Sequence, residues 1–123
     1  MIDVVLALIL EGKKFLVVRP EGKEWFFLPG GRKETNESHG ECLAREIHEE
    51  LSVAVKEMRH YRDYETGGSS KIRARVYLCE IEGSPKPANE IEEIAWIDRN
   101  YDISMLGNVL KIAMPQMIEE GIL

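Results

Sequence analysis

The feature that most constrains this chain is a cluster of glutamates inside a predicted helix over residues 37–51. The helix follows Pro29-Gly30-Gly31, where two glycines allow the backbone to turn sharply. Glu46, Glu49 and Glu50 have i, i+3 and i+4 spacing, so their carboxylates lie on one face of the helix. The neighbouring arc is apolar and predicts the face that packs on the rest of the fold: Leu43, Ala44, Ile47 and Leu51.

Like charges at this spacing destabilise a helix by roughly 0.2–0.5 kcal/mol per pair. Arg45 and Lys56 are too few and too scattered to neutralise the three acids. Hard divalent ions such as Mg²⁺ bind carboxylate oxygens and keep water and substrate phosphates as further ligands. The residues alone leave two interpretations open: a solvated acidic surface, or a metal site that meets a phosphorylated substrate.

The spacing of Gly31, Glu37 and residues 45–53 follows the pattern G-x5-E-x7-R-E-U-x-E-E-x-G-U, in which U is aliphatic. It resembles the Nudix box, the signature of the Nudix hydrolases. Ser52 departs from the pattern because the family has glycine there, at a helix end where the left-handed backbone conformation is common. We expect serine to lower local stability by about 1 kcal/mol and to leave every ligand in place.

The resemblance implies a hydrolase that attacks the pyrophosphate of a nucleoside diphosphate derivative with water and uses Mg²⁺, or Mn²⁺ in its place. Such a reaction needs charge neutralisation and positioning more than covalent help from the protein. Glu46, Glu49 and Glu50 match the metal ligands of the box. Glu37 and Arg45 match its other constant positions, and Arg45 is expected either to orient a carboxylate or to contact phosphate.

Outside the box, Glu90 lies six residues before Trp96 and resembles the glutamate that binds metal or acts as the base in MutT-like members. Glu92 and Glu93 are the alternatives for this role. The expected catalytic residues are Glu46, Glu49, Glu50, Arg45 and Glu90, and the four glutamates among them are the expected metal ligands.

Two basic residues and two glycines are expected at the substrate. Arg19 ends the second predicted strand and Arg32 follows the double glycine; both resemble basic residues that contact substrate in relatives, although surface charge explains each equally well. The expected substrate-binding residues are Arg19, Arg32, Gly30 and Gly31. Candidates for stacking on a base, each more commonly a core residue, are Trp25, Phe26, Phe27, Trp96 and Tyr101.

At 123 residues the chain is long enough for one domain and too short for two, so we expect a single domain over residues 1–123. The net charge of −6 argues against a general nucleic-acid-binding surface, which needs clustered Lys and Arg. No apolar run approaches the roughly 20 residues that span a bilayer, and the run at residues 4–10 lacks the basic flank of a signal peptide. We expect a cytoplasmic monomer or homodimer, with no membrane partner and with Cys42 and Cys79 as reduced thiols.

Periodicity and turn residues predict a sheet protein with one internal helix and one helix at the end. The predicted strands cover residues 2–10, 15–19, 25–28, 53–64, 71–81 and 94–97. The first two strands are expected to form a hairpin, and the fourth and fifth another around a loop at 66–70. Asn36 is the expected N-cap of the first helix, and Pro115 is expected to kink or divide the second, at residues 104–120. This order indicates an α+β fold, and the Nudix resemblance implies an α/β/α sandwich around a mixed β-sheet.

Our first hypothesis is a Mg²⁺-dependent pyrophosphohydrolase whose partner is a small nucleotide, either a nucleoside triphosphate or another nucleoside diphosphate derivative. The proline of ADP-ribose hydrolases and the tyrosine of dinucleoside polyphosphate hydrolases would fall within residues 67–70, where neither occurs. Their absence favours the MutT-like group. The alternatives are a nucleotide-sensing Nudix domain without turnover, which would be expected to have lost ligands, and a nucleotide-sugar or dinucleoside polyphosphate hydrolase.

Overall fold

The computed structural model describes residues 1–67 and 69–123. Gly68, in the predicted loop at 66–70, lies outside the described residues. The strands are β1 (Ile2–Leu8), β2 (Leu10–Glu11), β3 (Lys14–Pro20), β4 (Gly30–Arg32), β5 (Ala54–Thr66), β6 (Ile72–Glu82) and β7 (Ile91–Ile97). The helices are α1 (His39–Leu51), a short 3₁₀ helix (Ile103–Met105) and α2 (Asn108–Glu119). Across the residues described, no helix has the length and apolar character needed to traverse a bilayer.

The strands form two sheets. The larger sheet has the order β4-β1-β6-β5, and the smaller one has the order β2-β3-β7. β1 pairs in parallel with β6 but antiparallel with β4, so the larger sheet is mixed. β5 and β6 form the predicted second hairpin. The α+β prediction is confirmed.

The two helices lie against opposite faces of the sheet layer, and β3 shows this most clearly. Leu16 and Val18 belong to the apolar cluster on the α1 side, whereas Phe15 and Val17 belong to the cluster on the α2 side. Successive side chains of a strand point to opposite faces, so a continuous apolar run is buried only when both faces are covered. The α/β/α sandwich implied by the resemblance is confirmed.

The apolar stripe of α1 is confirmed at Leu43, Ile47 and Leu51, which are all fully buried. Ala44 does not belong to it, because its side chain is exposed. Cys42 is buried instead, with its Sγ 3.7 Å from the carbonyl oxygen of Gly31. The buried face of α1 therefore extends towards β4, which also brings the glutamates close to that strand.

The first helix begins later than predicted. Ser38, not Asn36, is the N-cap: its Oγ accepts the Glu41 amide at 3.1 Å, and the Glu41 carboxylate accepts the Ser38 amide at 2.9 Å. This reciprocal capping box satisfies two amides that a helix start otherwise leaves unpaired. Glu37 consequently lies in the turn before α1, where its side chain reaches back towards Arg45.

The predicted hairpin between the first two strands is present only at its turn end, where Leu10 and Glu11 of β2 pair with β3. The rest of the predicted first strand, β1, lies in the other sheet, so for β1 the prediction is wrong. A strand has two hydrogen-bonding edges, and those of β1 are taken by β4 and β6. The buried Ile9 carries the chain from one sheet to the other.

Gly30 and Gly31 form the short strand β4 where we predicted a turn. A Cβ on Gly30 would lie 2.1 Å from the carbonyl oxygen of Val5, and Gly30 has a φ of 134°, so glycine permits this close pairing with β1. The predicted strand at residues 25–28 is present only as two isolated bridges, Val18 with Phe27 and Phe26 with Leu106. Pro29 explains the break, because proline has no amide to donate to a ladder.

The C-terminal helix is shorter than predicted. It begins at Asn108, after the 3₁₀ helix, and Pro115 does not divide it. The buried side chains of Leu110, Met114 and Met117 hold its apolar face in the core. This burial compensates for the single intrahelical hydrogen bond that Pro115 removes. β7 begins at Ile91, three residues before the predicted strand.

Candidate active site

The loop before β7 is attached to the C-terminal end of α1. Carbonyl groups in the last turn of a helix lack intrahelical partners. Here the loop supplies the donors. The Leu51 carbonyl accepts the Lys86 amide at 3.0 Å, and the Glu50 carbonyl accepts the Ala88 amide at 3.0 Å. The Glu49 carbonyl accepts the side-chain amide of Asn89 at 2.6 Å. Asn89 has a φ of 52°, a conformation that asparagine adopts more easily than most residues. These bonds hold the loop against the end of α1, so that Glu90, the next residue after Asn89, lies beside the glutamates of the helix.

Four glutamates meet in one cleft, which we call the acid cleft. Its volume is about 330 Å³, and its walls are Glu46, Glu49, Glu50, Asn89 and Glu90. The structure therefore brings together all four predicted metal ligands. Asn89 was not predicted, and its only sequence signal is a turn-forming residue two positions after Pro87.

Glu50 is the most enclosed of these acids. Burial raises the pKa of its carboxyl to about 8, and the nearby charges of Glu46, Glu90 and Glu49 act in the same direction. The Gly30 amide opposes this shift by donating to Glu50 Oε1 at 2.9 Å. Burial also raises the pKa of Glu46. The fold therefore holds these carboxyl groups in a buried, crowded place where their charged form is less stable than it is in water.

Arg45 supports two of the carboxylates. Its guanidinium makes a two-pronged pair with Glu37, at 2.6 and 3.0 Å, and its Nη1 lies 2.9 Å from Glu46 Oε1. The hydrogen bond from Arg45 and a second one from the Glu34 amide lower the pKa of Glu37 to about 2. Of the two contacts that we left open for Arg45, the geometry favours the carboxylate one; its part in catalysis stays a prediction.

The donor set of the acid cleft fits a hard divalent cation, because it consists of carboxylate and amide oxygens. In residues 1–67 and 69–123, however, no group of three or more His, Cys, Asp or Glu side chains is placed to hold a metal ion as it stands. Glu46 is turned towards Arg45 and Glu50 towards Gly30, as expected where carboxylates repel one another. Gly31 leaves room for this arrangement, since a Cβ there would lie 2.5 Å from the Glu46 carboxyl carbon.

The two predicted basic residues occupy different places. Arg32 lines a second depression of about 470 Å³ on the other side of Glu46, together with Lys33 and Arg45. Arg19 pairs with Glu92 and Glu93 and does not line the acid cleft. Glu92 and Glu93, the alternatives to Glu90, do not line the acid cleft either.

An apolar pocket of about 390 Å³ adjoins the acid cleft and shares Glu50 with it. Of the five aromatic candidates, Phe27 lines this pocket. Polar groups at its wall that we did not predict are Lys23, Thr66 and Asn108. Other depressions, of about 380 and 650 Å³ around Cys79 and Glu80, contain none of the clustered glutamates.

The chain combines a mixed sheet between two helices with a cleft lined by four glutamates. A family model described as NUDIX domain matches residues 2–101, and the chain therefore belongs to the Nudix family. Similar solved structures include a nudix hydrolase family member from Chromobacterium violaceum, with 28% identity, a TM-score of 0.82 and coverage of 97% of this chain and 77% of that one.

Two structures of MutT proteins are also similar. The MutT protein from Methanosarcina mazei Go1 has 23% identity and a TM-score of 0.83, with coverage of 98% of this chain and 94% of that one. The MutT NUDIX hydrolase from Burkholderia pseudomallei has 23% identity and a TM-score of 0.82, with coverage of 93% and 95%. At this level of identity both matches establish the shared fold.

Proposed function

We propose that this Nudix hydrolase is a Mg²⁺-dependent enzyme that cleaves the pyrophosphate bond of a nucleoside triphosphate by attack of water. The observation that carries the proposal is the convergence of Glu46, Glu49, Glu50 and Glu90 on one cleft. Mn²⁺ is the expected substitute because it also favours oxygen ligands.

The four glutamates of the acid cleft would hold the cation. When bound, it neutralises phosphate charge and lowers the pKa of the attacking water. Arg45 holds the Glu46 carboxylate at the edge of the cleft and is itself fixed by its pair with Glu37. The Gly30 amide fixes Glu50. These contacts restrain the two carboxylates near the cleft, and both would turn from their present partners to the cation when it binds.

The apolar pocket supports a nucleoside as the organic part of the substrate. It shares Glu50 with the acid cleft, so a molecule whose phosphates occupy the cleft can place a flat apolar group beside Phe27. Its volume, about 390 Å³, lies in the range of small-molecule sites. Asn108 and Thr66 offer hydrogen-bonding groups for the edge of a base.

The test is a panel of nucleoside triphosphates, dinucleotides and nucleotide sugars, incubated with Mg²⁺ or with EDTA, with products identified by mass. We expect a nucleoside monophosphate and pyrophosphate, formed only with the metal. If the whole panel stays intact at high enzyme concentration, a binding domain without turnover is the better account. Release of other products would transfer the assignment to another substrate class.

Substitution of one acid tests the cleft itself. Glu49→Gln removes a charge and keeps the volume of an exposed side chain, so we expect kcat to fall by about 100-fold or more while the fold survives. Glu41→Gln is the matched control: it makes the same change on the same helix, and glutamine also serves in a capping box. Unchanged turnover in Glu49→Gln, or an equal loss in Glu41→Gln, would contradict the assignment.

A further inference from the structure

Arg19 contacts two consecutive acids at the start of β7. Its Nη1 lies 2.6 Å from Glu92 Oε2 and its Nε lies 3.1 Å from Glu93 Oε1. Nη1 also donates to the Lys23 carbonyl at 3.2 Å. In a regular strand, consecutive side chains point to opposite faces, so one guanidinium would not reach both acids. The backbone of β7 must therefore be irregular here.

The irregularity is a β-bulge. Arg19 lies opposite Glu93, but Pro20 lies opposite Ile91, which leaves Glu92 as an extra residue in β7. A bulge places two residues of one strand opposite one residue of its partner, and this brings both carboxylates to Arg19. Pro20 gives the physical reason for the break, since it has no amide to continue the ladder.

The bulge lies next to a wall of the acid cleft. Glu90 comes immediately before β7, its side chain lines the cleft, and its carbonyl oxygen accepts the Glu21 amide at 2.7 Å. The turn that contains Glu21 also contains Lys23, whose carbonyl oxygen accepts a hydrogen bond from Arg19. Arg19 therefore contacts both segments that fix the backbone of Glu90: the bulge that follows it and the turn that it pairs with.

We propose that Arg19 is a positioning residue: by pairing with Glu92 and Glu93 it holds the bulge that places Glu90 in the acid cleft. The inference rests on the proposed function in giving Glu90 a part in the reaction. It is an alternative to the expected contact between Arg19 and the substrate. All three side chains are at least one quarter exposed, so the pairs add little to global stability, and their effect is local.

The activity test compares Arg19→Gln with the double variant Glu92→Gln/Glu93→Gln. We expect both to lower kcat on the order of tenfold with little change in KM, and their combination to do no more than either alone. In a Glu90→Gln background, Arg19→Gln is expected to have no further effect. If Arg19 contacts a phosphate instead, Arg19→Gln raises KM, the glutamine pair does not reduce kcat, and the inference fails.

Hydrogen exchange supplies a readout that does not depend on turnover. In the metal-free protein, Arg19→Gln and Glu92→Gln/Glu93→Gln should both speed amide exchange in residues 88–93 and leave the β5–β6 hairpin unchanged. Unaltered exchange at 88–93 would overturn the inference whatever the activities. Full activity of Glu90→Gln with faster exchange in Arg19→Gln would instead remove Glu90 from the proposed function and leave the structural role of Arg19 standing. Arg19→Lys, which keeps one charge, should recover part of both effects.

Discussion

Replacing Ser52 with glycine should stabilise this protein. Ser52 ends α1 with φ 56° and ψ 34°, in the left-handed region that we expected at this position. A residue with a Cβ loses roughly 1–2 kcal/mol there. Glycine avoids that cost, but its greater flexibility in the unfolded chain lowers the free energy of unfolding by about 0.4–1 kcal/mol. The net gain in the free energy of unfolding should be about 0.5–1 kcal/mol.

The surroundings of Ser52 leave this balance undisturbed. The side chain is exposed, so its removal opens no cavity. The Ser52 amide donates to the His48 carbonyl at 3.0 Å, and the Leu51 carbonyl accepts the Lys86 amide; both bonds involve backbone only. For 123 residues, an unfolding entropy of about 2.1 cal/mol/K per residue converts the gain into a rise in Tm of roughly 2–4 °C.

The assay is thermal and urea unfolding of the wild type, Ser52→Gly and Ser52→Ala under one set of conditions. Alanine keeps the Cβ and therefore the backbone cost, so it should gain nothing. A Ser52→Gly protein no more stable than Ser52→Ala would refute the reasoning, because the left-handed conformation would then carry no measurable penalty. An equal gain in both variants would assign the effect to the hydroxyl group instead.

Two further predictions concern the two sides of the site. In the metal-free protein, the pKa of Glu50 is about 8 in the folded state against 4.5 in the unfolded state, so the folded state holds a proton longer and stability falls as the pH rises between these values. Urea unfolding in EDTA from pH 5 to 8 should show this decline in the wild type and not in Glu50→Gln. The slopes of the free energy of unfolding against pH should differ by a value approaching about 1.4 kcal/mol per pH unit. Parallel curves for the two proteins would contradict the prediction. Gly107→Ala should lower the free energy of unfolding by about 1–3 kcal/mol, because a Cβ there would lie 2.5 Å from Cδ1 of the Phe27 ring; wild-type stability in urea would show that the ring moves freely.

The helix that carries the glutamates was predictable because its signals are local. The i, i+3, i+4 spacing sets the acidic face, and the buried stripe at Leu43, Ile47 and Leu51 has the same helical period. Its true start was also present in the sequence, since Ser38 followed three positions later by Glu41 is a capping box. Asn36 is an acceptable cap in isolation, and only the reciprocal partner distinguishes the two.

The parts that the sequence did not predict depend on contacts between distant segments. Two glycines indicate a turn, and Gly30 becomes a strand residue only because β1 offers a free edge to it. Likewise, nothing local shows that the apolar run after the first turn belongs to a second sheet. Cys42 is buried and Ala44 is exposed because the helix packs against β4 as well as on the sheet face. In each case the deciding partner is far away in the chain.

The position of Glu90 shows how such contacts complete the site. The box supplies three acids from one helix, and the fourth comes from a segment held at both ends. At one end, Lys86, Ala88 and Asn89 satisfy the carbonyls that the end of α1 leaves unpaired. At the other, the bulge of β7 is paired with Arg19. A helix must satisfy its terminal carbonyls in any environment, so the bonds that complete α1 also bring the fourth carboxylate to the cleft.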